Sequence, residues 1–258
     1  MKIASICIGI ASALGLAWGA ASPSKGDGGV ETAAFEALRM HLEVDLPSRW
    51  ADVGRAPAFP AGLMALPAEV VLETEAAAGL ARLRVKNQAG EVLVRLDCPP
   101  GAALGVSELA LECEGDTLAE ALDAFPLGDY VVEATTVDGQ ALEGRVRLQS
   151  GFPGHFAVLS PLPGEIVQTD GATLAWTLPR GAAGYTLEIE QEELGFALEV
   201  GLAPWQTSFT VPAEMLQAGR TYEYSLAVQG DTDNELEVEG AFTTATAVKG
   251  TQGSGKGF

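Results

Sequence analysis

The strongest constraint on this chain lies between residues 156 and 244. Apolar and polar residues alternate there in short runs separated by turn residues. The runs 156–159, 173–177, 184–191, 196–200, 208–211, 221–228 and 235–242 each read as a strand. A period of two sends alternate side chains to opposite faces, so each run can bury one face. Seven short strands at close, regular spacing describe a β-sandwich. Trp176, Tyr185, Leu187, Tyr222, Tyr224 and Leu226 fall on alternating positions and predict one shared inner face.

A second β region precedes it. Residues 69–74 are rich in Val, Leu and Thr, and in 80–85 Leu80, Leu83 and Val85 alternate with Arg82 and Arg84. Asn87-Gln88-Ala89-Gly90 is a turn; 91–96 and 107–112 read as further strands. In 117–125 the spacing is helical. Thr117 stands at the start with Glu120 three residues on, a capping-box pattern. Residues 129–136 and 141–148 flank Val137-Asp138-Gly139-Gln140, and Asp-Gly between apolar-rich runs predicts a hairpin. Ser150-Gly151-Phe152-Pro153-Gly154 reads as the linker between the two β regions. The stretch 30–46 fits two periods. Phe35, Leu38 and Leu42 have helical spacing, while Met40, Leu42, Val44 and Leu46 alternate. The expectation is a short helix giving way to a strand, followed by a Pro/Ala/Gly-rich loop over 47–67.

Residues 156–246 resemble a fibronectin type III domain. The resemblance rests on Ser160-Pro161 and Pro163-Gly164, Leu174-Ala175-Trp176, Gly184-Tyr185-Thr186-Leu187, and Leu216-Gln217-Ala218-Gly219-Arg220-Thr221-Tyr222. In the last element a Leu is followed by Gly three residues later and Tyr six later. Ala218 replaces the usual Pro. The resemblance implies that Tyr222 packs at a corner and that its hydroxyl bonds back to the chain. Phe125-Pro126-Leu127-Gly128-Asp129-Tyr130 echoes the same element, so residues 68–150 read as a more divergent immunoglobulin-like domain with a short helix inserted. The expected fold class is all-β: two tandem immunoglobulin-like or fibronectin type III-like β-sandwich domains, with a short N-terminal helix or strand segment. As a whole the chain resembles exported bacterial proteins with one fibronectin-type domain, a resemblance that supplies no activity.

Met1-Lys2, an uncharged and mostly apolar run from Ile3 to Ala17, and the small residues around Gly19 to Ser22 have the layout of a signal peptide, assigned to 1–21. The run is short of the roughly 20 residues that span a bilayer. The expected location is therefore secreted or periplasmic, with no membrane insertion after cleavage. Residues 22–29 and 247–258 read as a flexible start and tail. Cys7 leaves with the leader. Export permits a disulfide between Cys98 and Cys113, the alternative being two separately buried thiols. Such a bond requires the strands that carry them not to be hairpin neighbours.

The chain carries 35 acidic against 15 basic residues, a net charge of −20. That argues against nucleic acid and against anionic lipid as partners. Two histidines, His41 and His155, leave little for a transition-metal site or a nucleophile–base pair, and neither lies in a Ser or Cys motif. Gly250-Thr251-Gln252-Gly253-Ser254-Gly255-Lys256 has P-loop spacing, but Gly257 follows the Lys where magnesium chemistry needs Ser or Thr. Acids gather at Glu188, Glu190, Glu192 and Glu193, and again from Asp231 to Glu239. The plain reading is a solvated face. The sharper one is calcium at Asp231, Asp233 and Glu235, since hard cations take several oxygens. Trp205 and Trp50 lie in loops and could stack on sugar. The sequence thus predicts an exported, non-enzymatic binding or structural protein with a protein partner and no cofactor. Calcium or carbohydrate binding is the alternative, and a hydrolase the remote one.

Overall fold

The computed structural model describes residues 6–9, 33–47, 62–97 and 106–246. The signal-peptide assignment, the P-loop-like tail, Trp50 and Cys98 fall wholly or mainly outside them. The described residues form two compact units. One takes those up to Asp45, those from 62 to Pro153, and Gln229–Leu236; the other takes Leu46, Gly154–Val228 and Glu237 to 246.

The first unit contains β1 (Ile6–Gly9), β2 (Ala37–Leu46), β3 (Ala68–Lys86), β4 (Val92–Asp97), β5 (Val106–Gly115), α1 (Leu118–Ala124), β6 (Gly128–Thr136) and β7 (Ala141–Leu148). Its spine is β3. The runs read from sequence as two strands are one strand of 19 residues. The first half pairs antiparallel with β2 on one edge and β5 on the other. The second half pairs with β4 and β6, and β6 continues to β7. Between the halves Leu80 pairs with Thr136 but Arg82 pairs with Thr135, leaving one extra residue, Ala81, on β3. Such a bulge shifts the side-chain alternation by one. Buried positions accordingly change from Val70, Leu72, Thr74, Ala76 and Leu80 to Leu83 and Val85. The backbone of β1 lies against β5, Ile6 opposite Cys113.

Residues 37–46 are strand throughout, so of the two periods in 30–46 the alternating one prevails. Met40, Leu42, Val44 and Leu46 are all buried. The edge of β3 supplies backbone partners from Glu75 to Ala68 that a helix could not use. Phe35 and Leu38 pack closely on Gly144 of β7, where a Cβ would collide with Leu38 Cδ2. Thr117 caps α1 as its spacing predicts, accepting from the Glu120 amide at 3.2 Å. The Asp-Gly hairpin forms between β6 and β7, with Gly139 at φ +89°.

The second unit contains β8 (Val158–Ser160), β9 (Glu165–Val167), β10 (Ala172–Trp176), β11 (Ala182–Gln191), β12 (Phe196–Leu202), β13 (Ser208–Val211), β14 (Thr221–Gly230) and most of β15 (Glu235–Thr244). One sheet has the order β13-β10-β8; the other runs β15-β14-β11-β12, with β9 added parallel to β15. This is an immunoglobulin-like sandwich order. Seven strands match the sequence reading to within about two residues at most ends; β9 escapes it because three residues carry no period. Trp176, Tyr185, Leu187, Tyr222, Tyr224 and Leu226 are all buried, as one inner face requires. Trp176 stacks tilted on Tyr185 with ring centroids 5.5 Å apart, and Tyr222 lies parallel to Phe242 at the same distance.

Both units carry the tyrosine corner. Tyr222 Oη donates to Met215 O at 3.2 Å and accepts from the Gln217 amide at 2.9 Å. In the first unit Tyr130 Oη donates to Pro126 O. Each ring is fully buried while its hydroxyl keeps a backbone partner.

Candidate functional site

The residues expected to hold calcium occupy the hairpin between β14 and β15, within the segment Gln229–Leu236. Asp231 is exposed. Asp233 adopts φ +63°, a left-handed conformation that Asp tolerates better than most residues. Glu235 points away from solvent and receives Arg39 Nη2 at 2.5 Å and Gln229 Nε2 at 3.3 Å. The structure therefore does not bring Asp231, Asp233 and Glu235 together. Among the described residues no three His, Cys, Asp or Glu side chains converge to hold a metal ion.

What the hairpin builds instead is a buried polar latch inside the first unit. Asn234 is completely buried. Its Oδ1 accepts from the Leu42 amide of β2 at 2.9 Å; its Nδ2 donates to Gln149 O at 2.7 Å and Gly151 O at 2.6 Å. Thr232 Oγ1 donates to the same Gly151 carbonyl. Arg39 also donates to Asp233 O at 2.9 Å and reaches Glu73 at 3.3 Å. His41 is buried beside this cluster, with Nε2 3.9 Å from Glu235 and Nδ1 lacking a hydrogen-bond partner among the described residues. Burial holds the imidazole well below its usual range, and the Arg39 charge adds to this. Burial pushes the Glu235 carboxyl up, against the pull of Arg39. Sequence reasoning gave Asn234 no role; nothing local marks an Asn that will be buried by pairing over nearly two hundred residues.

The expected Cys98–Cys113 disulfide is corrected by the structure: Cys113 is a free thiol. It lies opposite Val70, whereas Asp97, the residue before Cys98, lies opposite Arg82 twelve positions further along β3. At ~3.3 Å per residue, the seven steps of β5 from Val106, opposite Leu80, to Cys113 alone cover roughly 23 Å, against the ~7 Å limit for a disulfide. Burial raises the Cys113 thiol, and Glu114 and Glu69 add to the effect.

Trp205 stands three-quarters exposed, the largest apolar side chain so placed among the described residues. It sits on a turn after β12 that is closed by Gln206: its amide donates to Ala203 O, and its Oε1 accepts from the Ala203 amide, both at 2.9 Å.

Two sheet faces carry opposite charge. In the first unit the outer face of β4-β3-β6-β7 presents Arg82, Arg84, Lys86, Arg95, Arg145 and Arg147, six of the chain's 15 cations. They share the face because each is an even number of residues from a residue paired on it. A cleft of about 740 Å³ opens there, lined by Lys86, Arg145 and Arg147 among others. Asp97, Glu133, Glu143 and Asp129 form ion pairs with five of the six, Asp97 serving both Arg82 and Arg95, so the face keeps a surplus of two positive charges. Arg84 has no ion pair among the described residues, and β4 places Arg95 directly opposite it.

In the second unit β11, β12, β14 and β15 contain no Lys or Arg. Glu188 of β11 lies directly opposite Glu199 of β12. Glu190, Glu223, Glu237 and Glu239 share their face, fixed for β14 and β15 by the Thr221–Thr243 and Ser225–Glu237 side-chain bonds. Partial burial, then Glu199, Glu237 and Glu190, push the Glu188 carboxyl up.

No family model matches the chain, and no curated protein matches it. Solved structures do. A two-domain fibronectin type III segment of chicken tenascin is 16% identical, covers 68% of this chain and 92% of its own, and has a TM-score of 0.30. Fibronectin(III)-like modules of Clostridium thermocellum CbhA are 10% identical over 70% of this chain and 85% of theirs, TM-score 0.29. A tetra-tandem repeat from the extending region of a large adhesion protein is 13% identical over 81% and 49%, TM-score 0.27. At these scores the likeness carries no argument about function. The sandwich itself rests on the strand order described above.

Proposed function

We propose that this chain is an exported binding or structural protein that works through its β-sandwich surfaces on a protein partner, without catalysis. The observation that carries the reading is Trp205. An indole three-quarters exposed on a hydrogen-bonded turn has lost the free energy of burying its ring, and Trp is the residue type most enriched at the energetic centres of protein interfaces. The outer edge of β12 beside it pairs with no strand among the described residues, so backbone donors and acceptors adjoin the indole. His41, the imidazole a hydrolase would call on, is buried in the latch and is not part of the cleft beside Arg145. The proposed location outside the cytoplasm rests on the leader-like residues 1–21.

The test places a photoreactive amino acid at position 203, next to Trp205, in cells of the organism that makes the chain. A discrete protein adduct that disappears in Trp205→Ala supports the reading. No adduct, together with His41-dependent turnover of a panel of esters, glycosides and peptides, overturns it.

A further inference from the structure

The two charged faces are complementary, and we infer that they dock on each other between copies. The basic face of β4-β3-β6-β7 on one molecule receives the acidic face of β11, β12, β14 and β15 on the next. This rests on the reading of the chain as a protein-binding module and names its partner as a second copy.

Three observations point to that occupant. First, the basic face is exposed: the Arg95, Arg145 and Arg147 side chains are 63%, 77% and 67% accessible. Its six cations meet four carboxylates, a surplus of two; Arg95 lies directly opposite Arg84, which has Glu133 across from it on β6 but forms no ion pair among the described residues. Second, the acidic face has the converse defect. Glu188 faces Glu199, and no cation on the four strands relieves them. Third, both faces are pleated sheets, so both set their charges on one lattice of ~4.8 Å between strands and ~6.8 Å along them. Rows of carboxylates can then lie over rows of guanidinium groups, and Arg forks donate to carboxylates in bidentate pairs.

The net charge of −20 opposes this contact, and distance decides the outcome. At 0.1 M salt the screening length is ~10 Å, so repulsion between remote parts is damped while charges in contact still attract; at 1 M it is ~3 Å and both are lost. The contact is heterologous, because the two patches differ. It therefore closes a ring or runs on as an open chain.

The experiment is sedimentation of the full chain at 0.1 M and 1 M sodium chloride, with two variants. Arg84→Gln/Arg145→Gln removes charge from the basic face, and Glu188→Gln/Glu199→Gln from the acidic face. The expected result is concentration-dependent assembly at 0.1 M that weakens at least about tenfold at 1 M. Each variant alone is monomeric, while their equimolar mixture forms pairs that grow no further. That mixture also shows that both variants are folded. A parent chain monomeric in 0.1 M salt overturns the inference, as does assembly that survives in either variant alone. Loss in the basic-face variant only, or binding of the parent to the polyanion heparin without self-assembly, also overturns it by assigning that face to another acidic occupant. If the chain is monomeric and the Trp205-dependent adduct persists, the second-copy contact is refuted while the binding reading stands.

Discussion

Replacing Asn234 by Ala tests whether the latch is what its geometry implies. The side chain is fully buried and satisfies three backbone groups on separate pieces of chain. The three losses are unequal. The Leu42 amide loses its partner outright, which costs about 1–3 kcal/mol in a buried setting. Gln149 O loses its donor, at a similar or smaller cost. Gly151 O keeps Thr232 Oγ1 and loses least. Adding the void left by the amide, the expected destabilisation is about 3–4 kcal/mol. At about 2–4 °C per kcal/mol that lowers Tm by roughly 6–16 °C. Urea unfolding measures the free energy, and hydrogen exchange at the Leu42 amide measures the local event. Asn234→Asp sharpens the test. One carboxylate oxygen can still accept from Leu42, but the other faces two carbonyls. The introduced carboxyl therefore has a folded pKa above the unfolded value of about 3.9. Its penalty is full above the folded pKa and disappears as pH falls to the unfolded one. An Ala variant within about 0.5 kcal/mol of the parent, or an Asp variant whose deficit does not shrink in acid, would refute the reasoning.

Other perturbations have definite signs. Tyr222→Phe removes a hydroxyl that serves Met215 O and the Gln217 amide, and should cost about 1–2 kcal/mol by urea unfolding; Tyr130→Phe, with one such bond, should cost about 1. His41 has a folded pKa below its unfolded value of 6.5, so its neutral form contributes stability that is fully present above pH 6.5 and lost as pH falls toward the folded pKa. The parent should therefore lose stability relative to His41→Gln from pH 6.5 downward, by at most about 1.4 kcal/mol per pH unit, read as the difference between their melting curves. Arg39 and Glu235 face that imidazole and are common to both proteins, so the raised carboxyl of Glu235 largely cancels in the comparison. Glu188→Gln relieves the Glu199 contact and should raise stability by about 0.5 kcal/mol in low salt, an effect that 1 M salt erases.

The sandwich of the second unit was legible because alternation there is local. Each of Trp176, Tyr185, Tyr222 and Leu226 announces its face two residues at a time, and turns separate the runs. The Thr117 cap and the Asp138-Gly139 hairpin are local signals too, and both hold. Legibility fails where the deciding partner is remote. Residues 35–42 carry helical and strand periods together, and only the edge of β3 chooses between them. Cys113 is a free thiol on β5, opposite Val70 in the first half of β3, a placement that its fifteen-residue spacing from Cys98 does not announce. Acids around the β14–β15 hairpin look like ligands until Arg39, almost two hundred residues earlier, takes Glu235. Even the charged faces become visible only once register is known, because six cations scattered from 82 to 147 share a surface through pairing.

The bulge at Ala81 has a consequence for how this chain can change. Inside and outside are assigned by counting along β3, and the count is reset once, at that residue. Inserting or deleting one residue between Leu83 and Val85 would turn the later part of the strand over, sending Val85 to water and Lys86 into the apolar interior. The same edit beside Ala81 has somewhere to go, because a second looped-out residue or a straightened strand can absorb it. Length variants of this protein should therefore accumulate at 76–81, where register against β5 is also broken between Glu75 and Leu80, and be purged on either side, which makes this irregular stretch the tolerant seam between two counted halves of the strand.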